Sequence, residues 1–309
     1  MVEIFLRTLP FFAIIGIGYC AGRTRFFSEE ATAYLTKFVF YFALSAMLFR
    51  FAANLRLAEV FDGRLITGYL CGSLVVYGIA TAVGFLRRLD VPTAAIEAQC
   101  AVIGNVGFLG LPMFVMLFGE ASIGPMMLVL ATDLIVFSSL IVILINGARD
   151  GRMSLSILRT IAGGLVRNPM IVSIVLGLGW SALTLPIPEP MNDFLAILGN
   201  AATPGALFAI GASLASKSAE RVQIAGWLTL CKLVLHPVAV GVAVLLVIPL
   251  DPYSAIIVIS AAAMPVAGNV YMLAQHYGVA PHRVSAAILF STGFSILTVP
   301  VIMAWVGQL

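Results

Sequence analysis

Asn105-Val106-Gly107-Phe108-Leu109-Gly110-Leu111-Pro112 interrupts an apolar stretch long enough to cross a bilayer, and Pro265-Val266-Ala267-Gly268-Asn269 interrupts a second one. Proline removes a backbone donor and clashes with the preceding helical turn, and glycine loosens what remains. In hydrocarbon such a defect survives only where protein or a polar cavity satisfies the freed backbone groups. Interrupted spans at corresponding places in two halves of a chain are the best sequence pointer to a transporter's substrate site. The fold expected here is therefore an all-α membrane protein with two broken helices.

Composition supports that class independently. Of 309 residues, 61% are hydrophobic and 10% charged, against roughly 45–50% and about 25% in soluble domains. With about 20 apolar residues per crossing, ten spans fit, at 5–22, 31–53, 65–86, 93–118, 121–146, 169–186, 191–216, 222–249, 253–277 and 282–306. The linkers between them are too short for a soluble domain. Arg23, Arg25, Arg87, Arg88, Arg149, Arg152, Arg159, Arg167, Lys217, Arg221 and Arg283 fall on one side, and only Arg7, Arg50, Arg56 and Arg64 on the other. The positive-inside rule makes the first side cytoplasmic and puts both termini outside. Because Arg23 and Arg25 follow the first apolar stretch and Glu3 precedes it, this stretch reads as a retained span rather than a secretory leader.

The chain also repeats itself at an offset of about 159 residues. Ser45-Ala46-Met47-Leu48-Phe49 aligns with Pro204-Gly205-Ala206-Leu207-Phe208, Gly16-Ile17-Gly18-Tyr19 with Gly177-Leu178-Gly179-Trp180, and Gly68-Tyr69-Leu70 with Gly226-Trp227-Leu228. Five is odd, so the second set of five enters the membrane from the opposite face, an inverted repeat. The expected division is 1–146 for the first repeat, 147–168 for a basic cytoplasmic linker and 169–309 for the second repeat.

Several motifs resemble the auxin efflux carrier family. They are Asn105-x-Gly107-x-x-Gly110-x-Pro112, Lys232-Leu233-Val234-Leu235-His236-Pro237, Pro265-Val266-Ala267-Gly268-Asn269-Val270-Tyr271 and Ser291-Thr292-x-x-Ser295-x-x-Thr298-x-Pro300. The resemblance covers the whole chain, and the short 147–168 segment is similar to the compact bacterial members, the malate and malonate permeases. One departure is Ser45, where the family often has proline; Pro204 keeps it in the second half. The resemblance implies a scaffold of spans 1, 2, 6 and 7, a mobile unit of spans 3–5 and 8–10, spans 4 and 9 crossing at their breaks, a homodimer formed through spans 2 and 7, and a bacterial inner-membrane location.

The residues themselves favour an anion site. A helix broken within the membrane exposes an N-terminus whose N–H groups and partial positive charge suit a carboxylate. Asn105 and Asn269 add amide donors and acceptors beside the breaks. Gly107, Ser291 and Ser295 complete the expected substrate-binding set, while Gly110, Pro112, Pro265 and Gly268 shape the crossing. Lys232 lies about 15 Å into its span at 1.5 Å per residue, near the middle of a roughly 30 Å core. An ionisable residue at that depth is functional by default. It balances an anionic substrate or pairs with Asp133, and the sequence leaves both open. His236, one turn on, either carries protons or is a packing histidine, and Glu97 reads as a hydrated carboxylate near a span end. Ser291, Ser295 and Thr298 form a polar stripe that suits packing or a transport path equally.

No phosphate loop or metal-spaced His/Cys cluster is present in the sequence. The expected protein is therefore no enzyme, takes no cofactor or metal, and binds no nucleic acid. Its partners are the lipid bilayer and a small organic anion moved by an elevator-like carrier, proton-linked or uncoupled. The alternatives are a cation/proton antiporter on a related fold, with Asp133 holding the ion, and a membrane sensor that binds without transporting.

Overall fold

The computed structural model describes residues 2–55, 61–150, 155–216 and 222–308. Arg56, Arg152, Lys217 and Arg221 of the charge comparison, and part of the 147–168 linker, lie outside the described residues. In chain order the helices are α1 (Val2–Arg23), α2 (Glu29–Asn54), α3 (Gly63–Leu86), α4 (Val91–Val102), α5 (Val106–Phe118), α6 (Glu120–Arg149), α7 (Leu155–Arg167), α8 (Pro169–Ala182), α9 (Glu189–Ala215), α10 (Val222–Val247), α11 (Pro252–Ala262), α12 (Gly268–Tyr277) and α13 (Pro281–Val306). Among the described residues the only extended pairing is an isolated antiparallel bridge between Gly104 and Val266.

Seven of these helices are long and apolar enough to cross a membrane. They become eight when α7 and α8, which meet at a 70° bend, count as one span. The expected spans 93–118 and 253–277 are each two short helices, α4 with α5 and α11 with α12. The stretch expected as a linker is largely helical: α6 runs past residue 146, and α7 occupies most of the rest.

Local chemistry sets the helix ends. Asp62 Oδ1 accepts from Arg64 N at 2.8 Å and Leu65 N at 3.2 Å to start α3. Asn168 caps α8 and Asp251 caps α11, each followed by proline in the first turn, where its missing N–H is harmless. Gly278 closes α12 at φ +65°, a left-handed stop that suits glycine.

The helices sort into two groups by how closely they pack. In one, α1 lies along α9, and α8 lies along the second half of α2. Small residues bring the backbones together there. A Cβ on Gly211 would strike the Ile15 carbonyl, one on Gly18 the Phe208 carbonyl, and one on Gly177 would lie 2.6 Å from Phe49 O. In the other group α3 packs on α4 and α10, α10 on α11 and α13, and α4 on α6. Gly72 supplies the close approach, since its Cβ would lie 2.5 Å from Val240 Cα. The site described next lies where these groups face each other.

Candidate functional site

The two interrupted pairs meet at their breaks. Helix α4 stops at Val102 and α11 at Ala262, so each leaves backbone groups without helical partners. The breaks satisfy one another. Asn105 N donates to Pro265 O at 2.7 Å, and Ala267 N donates to Ile103 O at 3.1 Å. Val266 N, between them, donates to Ser291 Oγ at 3.1 Å. Past the first break the chain widens into a π-helical turn, with Leu109 N and Gly110 N both donating to Asn105 O. Buried N–H and C=O groups need such partners, and here the partner of each defect is the other defect.

A cavity of about 150 Å³ opens beside the bridge. Its walls come from α5, α12, α13 and both breaks on one side and from α2 and α9 on the other. Asn105 and Asn269 line it together, and the Oδ1 atom of each is buried without a hydrogen-bond partner. A buried amide oxygen left unpaired costs about 1–3 kcal/mol, so both side chains are free to serve a guest. Thr36, Ser213 and Thr292 add hydroxyls to a wall that is otherwise mostly apolar. Gly268, at the start of α12, also lines the cavity, and a Cβ there would meet open space. The first N–H groups of a helix lack intrahelical partners, so this end offers donors as well.

The other expected substrate contacts take different places. Gly107 faces away, where a Cβ would lie 2.8 Å from Met170 Cε. Ser291 is fully buried and holds Val266 N, and Ser295 donates to Thr292 O at 2.8 Å within its own helix. The cavity face of α13 is instead Ile288 and Thr292. Gly110 packs near Met126, and Pro112 sits in the first turn of the helix that follows the π turn. Pro265 supplies the carbonyl for Asn105 N.

Lys232, His236 and Asp133 form a second cluster behind the bridge. Lys232 is completely buried; its Nζ donates to the Ala262 carbonyl and lies 2.9 Å from His236 Nδ1. A Cβ on Gly104 would be 3.3 Å from the same Nζ. The ammonium therefore stands at the C-terminal ends of both α4 and α11, where the helix dipoles are negative. His236 Nε2 is 2.9 Å from Ser73 Oγ, and one turn back on α3 Tyr69 donates to Asp133 Oδ1 at 2.8 Å. Asp133 Oδ2 has no hydrogen-bond partner. Among the described residues no ion pair within 4 Å joins Lys232 to Asp133; the two charges share a polar cluster without touching. Both occur in π-helical turns, Cys231–Leu235 and Asp133–Phe137, a local form often found at functional positions.

Glu97 departs from its expected hydrated state. It is buried, and Arg87 bonds one carboxylate oxygen at 2.8 Å while Arg283 bonds the other. The clamp ties the end of α3 and the start of α13 to α4, which explains how the carboxylate tolerates its position.

Sequence reading missed Thr36, Phe40, Ser213 and Thr292 in the cavity, and Tyr69 and Ser73 in the cluster. Tyr69 and Ser73 carried a usable signal: two polar-tipped side chains at helical spacing within an apolar span.

Apolar helices of spanning length and a cavity lined by two unpaired amides at two broken helices define an integral membrane protein of the transporter class. A family model described as membrane transport protein matches residues 3–303. The chain belongs to that family, the auxin efflux carrier family that its motifs resemble. It is 30% identical over 302 residues, 97% of this chain and 94% of the relative, to a protein of Rhizobium meliloti (strain 1021) named "Putative malonate transporter". It is 26% identical over 304 residues, 94% of each chain, to the "Uncharacterized transporter YfdV" of Escherichia coli (strain K12).

Proposed function

We propose that the protein is a secondary transporter of small organic anions, dicarboxylates such as malonate or malate foremost, working by elevator-like alternating access. The observation that carries this reading is the pair of unpartnered, buried amide oxygens of Asn105 and Asn269 in one cavity beside the joined breaks. A primary amide can turn its NH₂ or its C=O toward a guest, so the pair serves a carboxylate with donors and its protonated form with acceptors. The N-terminus of α12 adds partial positive charge from the same side. The name of the Rhizobium relative is consistent with a carboxylate cargo.

Alternating access is supported by where the cavity lies. The α1–α2–α8–α9 group supplies one wall, and the group holding the breaks supplies the other. Each group is knit internally by glycine contacts, so sliding one past the other exposes the cavity to alternate faces without unpacking either. Ala206, Ala209 and Ser213 give α9 a low-relief surface along that wall.

The same elements support a ten-span inverted repeat as part of this reading. Glu29 and Glu189, Gly63 and Val222, and Glu120 and Pro281 begin corresponding helices, each pair about 160 residues apart. The π turn of α2 at Val39–Ala43 corresponds to the interruption of α9 at Ala201. On this reading α4 with α5 and α11 with α12 are spans four and nine, and α7 lies on the arginine-rich, cytoplasmic face. We further propose a homodimer in a bacterial inner membrane, with both termini outside.

Lys232 places its amine at the two helix C-termini, and the Asp133–Tyr69 and Ser73–His236 contacts make the cluster around it the place for proton coupling. An inside-negative potential drives uncoupled anion export at about 2.3 kcal/mol per charge per 100 mV, while import of a dianion requires a co-ion. The test is uptake and counterflow of radiolabelled malonate, malate, succinate and indole-acetate in proteoliposomes, with pH and sodium gradients imposed separately. Saturable exchange of a carboxylate supports the reading. Cation-dependent proton flux without carboxylate movement replaces it with the antiporter, and ligand binding without movement replaces it with a sensor.

A further inference from the structure

A second, larger cavity of about 1000 Å³ leads off from the first and shares Phe40, Asn269 and Met272 with it. One wall is α7, the helix within the stretch expected to be a linker. Arg159, Thr160, Ile161, Gly163, Gly164, Leu165 and Arg167 all line it. Leu158 and Val166 are exposed apolar positions two turns apart, whereas Arg159, Gly163 and Arg167, at the same spacing, line the cavity. Among the described residues no acidic side chain lines this cavity and neither arginine has an ion-pair partner.

The middle of α7 adds a second observation. Gly163 and Gly164 are adjacent in a helix interior, where glycine is the least favourable residue apart from proline. Packing does not require them: a Cβ on either would meet nothing within 4 Å. Both line the cavity, so what their missing side chains provide is room between two guanidinium groups.

We propose that α7 forms an anion-attracting access vestibule, in which Arg159 and Arg167 concentrate negatively charged substrate at the approach to Asn269 and favour doubly over singly charged species. This rests on the carboxylate-transporter reading for the cargo but not for the field itself. A cleft lined by one sign of charge raises the local concentration of the opposite ion by about 10-fold or more. The Boltzmann weight is exponential in the charge carried, so a dianion gains the square of what a monoanion gains. Arg159 and Arg167 are positioning residues here; the contacts that hold the substrate remain those around Asn105 and Asn269.

The first experiment needs no transport. In a Cys20→Ser/Cys71→Ser background, Ser139→Cys places a thiol in the vestibule wall. Its reaction rates with an anionic sulfonatoethyl and a cationic trimethylammonioethyl methanethiosulfonate are compared. The ratio should favour the anionic reagent, collapse at high salt as the field is screened, and fall about tenfold in Arg159→Gln/Arg167→Gln. Arg159→Lys/Arg167→Lys should preserve it. A ratio insensitive to both salt and charge removal overturns the proposal. Should the glutamine variant not fold, the salt dependence of the parent protein decides alone.

The second experiment is transport of malonate and its half-amide, malonamate, in phosphatidylcholine vesicles. The glutamine variant should raise KM about tenfold for malonate and about threefold for malonamate, with kcat unchanged. Equal shifts for both overturn the charge discrimination. A shift seen only with phosphatidylglycerol present assigns the arginines to lipid headgroups and overturns the vestibule. If the parent protein moves no carboxylate, the carboxylate reading falls, while the thiol rates still decide whether the vestibule attracts anions.

Discussion

At the residue scale the weight falls on Asn105 and Asn269, whose buried amide oxygens wait without partners in one cavity. Hydrogen bonds to a charged group contribute about 1.5–3 kcal/mol, so Asn105→Ala and Asn269→Ala should each weaken malonate binding about 10- to 100-fold while leaving folded protein. Counterflow affinity measures it, and unchanged affinity in both removes them from the site. Lys232 calls for a paired test. Lys232→Met keeps the volume but strips the cation from two helix ends, and removing one member of a buried charge set costs about 3–5 kcal/mol. Asp133→Asn in that background should restore part of the lost thermal stability, since Asp133 Oδ2 is already without a partner. Two independent losses would show that the charges do not balance each other. The asparagines were legible in the sequence because they flank breaks that proline and glycine announce. Ser291 and Ser295 were not, because the choice between them and Thr292 is one of helix rotation. Neighbouring residues differ by about 100° around a helix, and only packing against the breaks fixes which face meets the cavity.

At the element scale, small residues decide how closely helices approach. Gly211→Val should place methyl groups into the Ile15 carbonyl and force α1 away from α9. Overpacking of this kind costs about 1–3 kcal/mol and sometimes more, so the melting temperature in detergent should fall. An unchanged value would mean that the α1–α9 approach contributes little. Gly163, with open space around it, is the internal control: Gly163→Ala should hold or raise stability. Sequence reading found the long spans and both breaks, because hydropathy and proline report directly on them. It missed α7, whose arginines and paired glycines look like linker composition until the apolar stripe of Leu158 and Val166 is set against the cavity face. Glu97 was misread for a related reason. Of its arginine partners, Arg87 stands just before α4 in the chain, but Arg283 comes from the last helix, and no local pattern reports a clamp that needs both.

At the scale of the whole molecule, the cavity between the two helix groups predicts a way to stop the machine without breaking it. Ala209→Trp should fill much of the roughly 150 Å³ between α9 and the breaks. Transport should be lost while thermal stability is kept or raised, as both groups keep their own packing. Residual transport at the parent rate would separate the cavity from the path. The bridge between Gly104 and Val266 also bears on how the protein is made. When the ribosome has finished the first of these residues, the second is not yet synthesised, and the nascent chain must hold an open backbone seam in the membrane until its counterpart arrives. The first half should therefore be a client of membrane quality control when produced alone. Expressed separately, the two halves should rescue one another from proteolysis, and pulse-chase lifetimes of each half with and without the other measure that dependence.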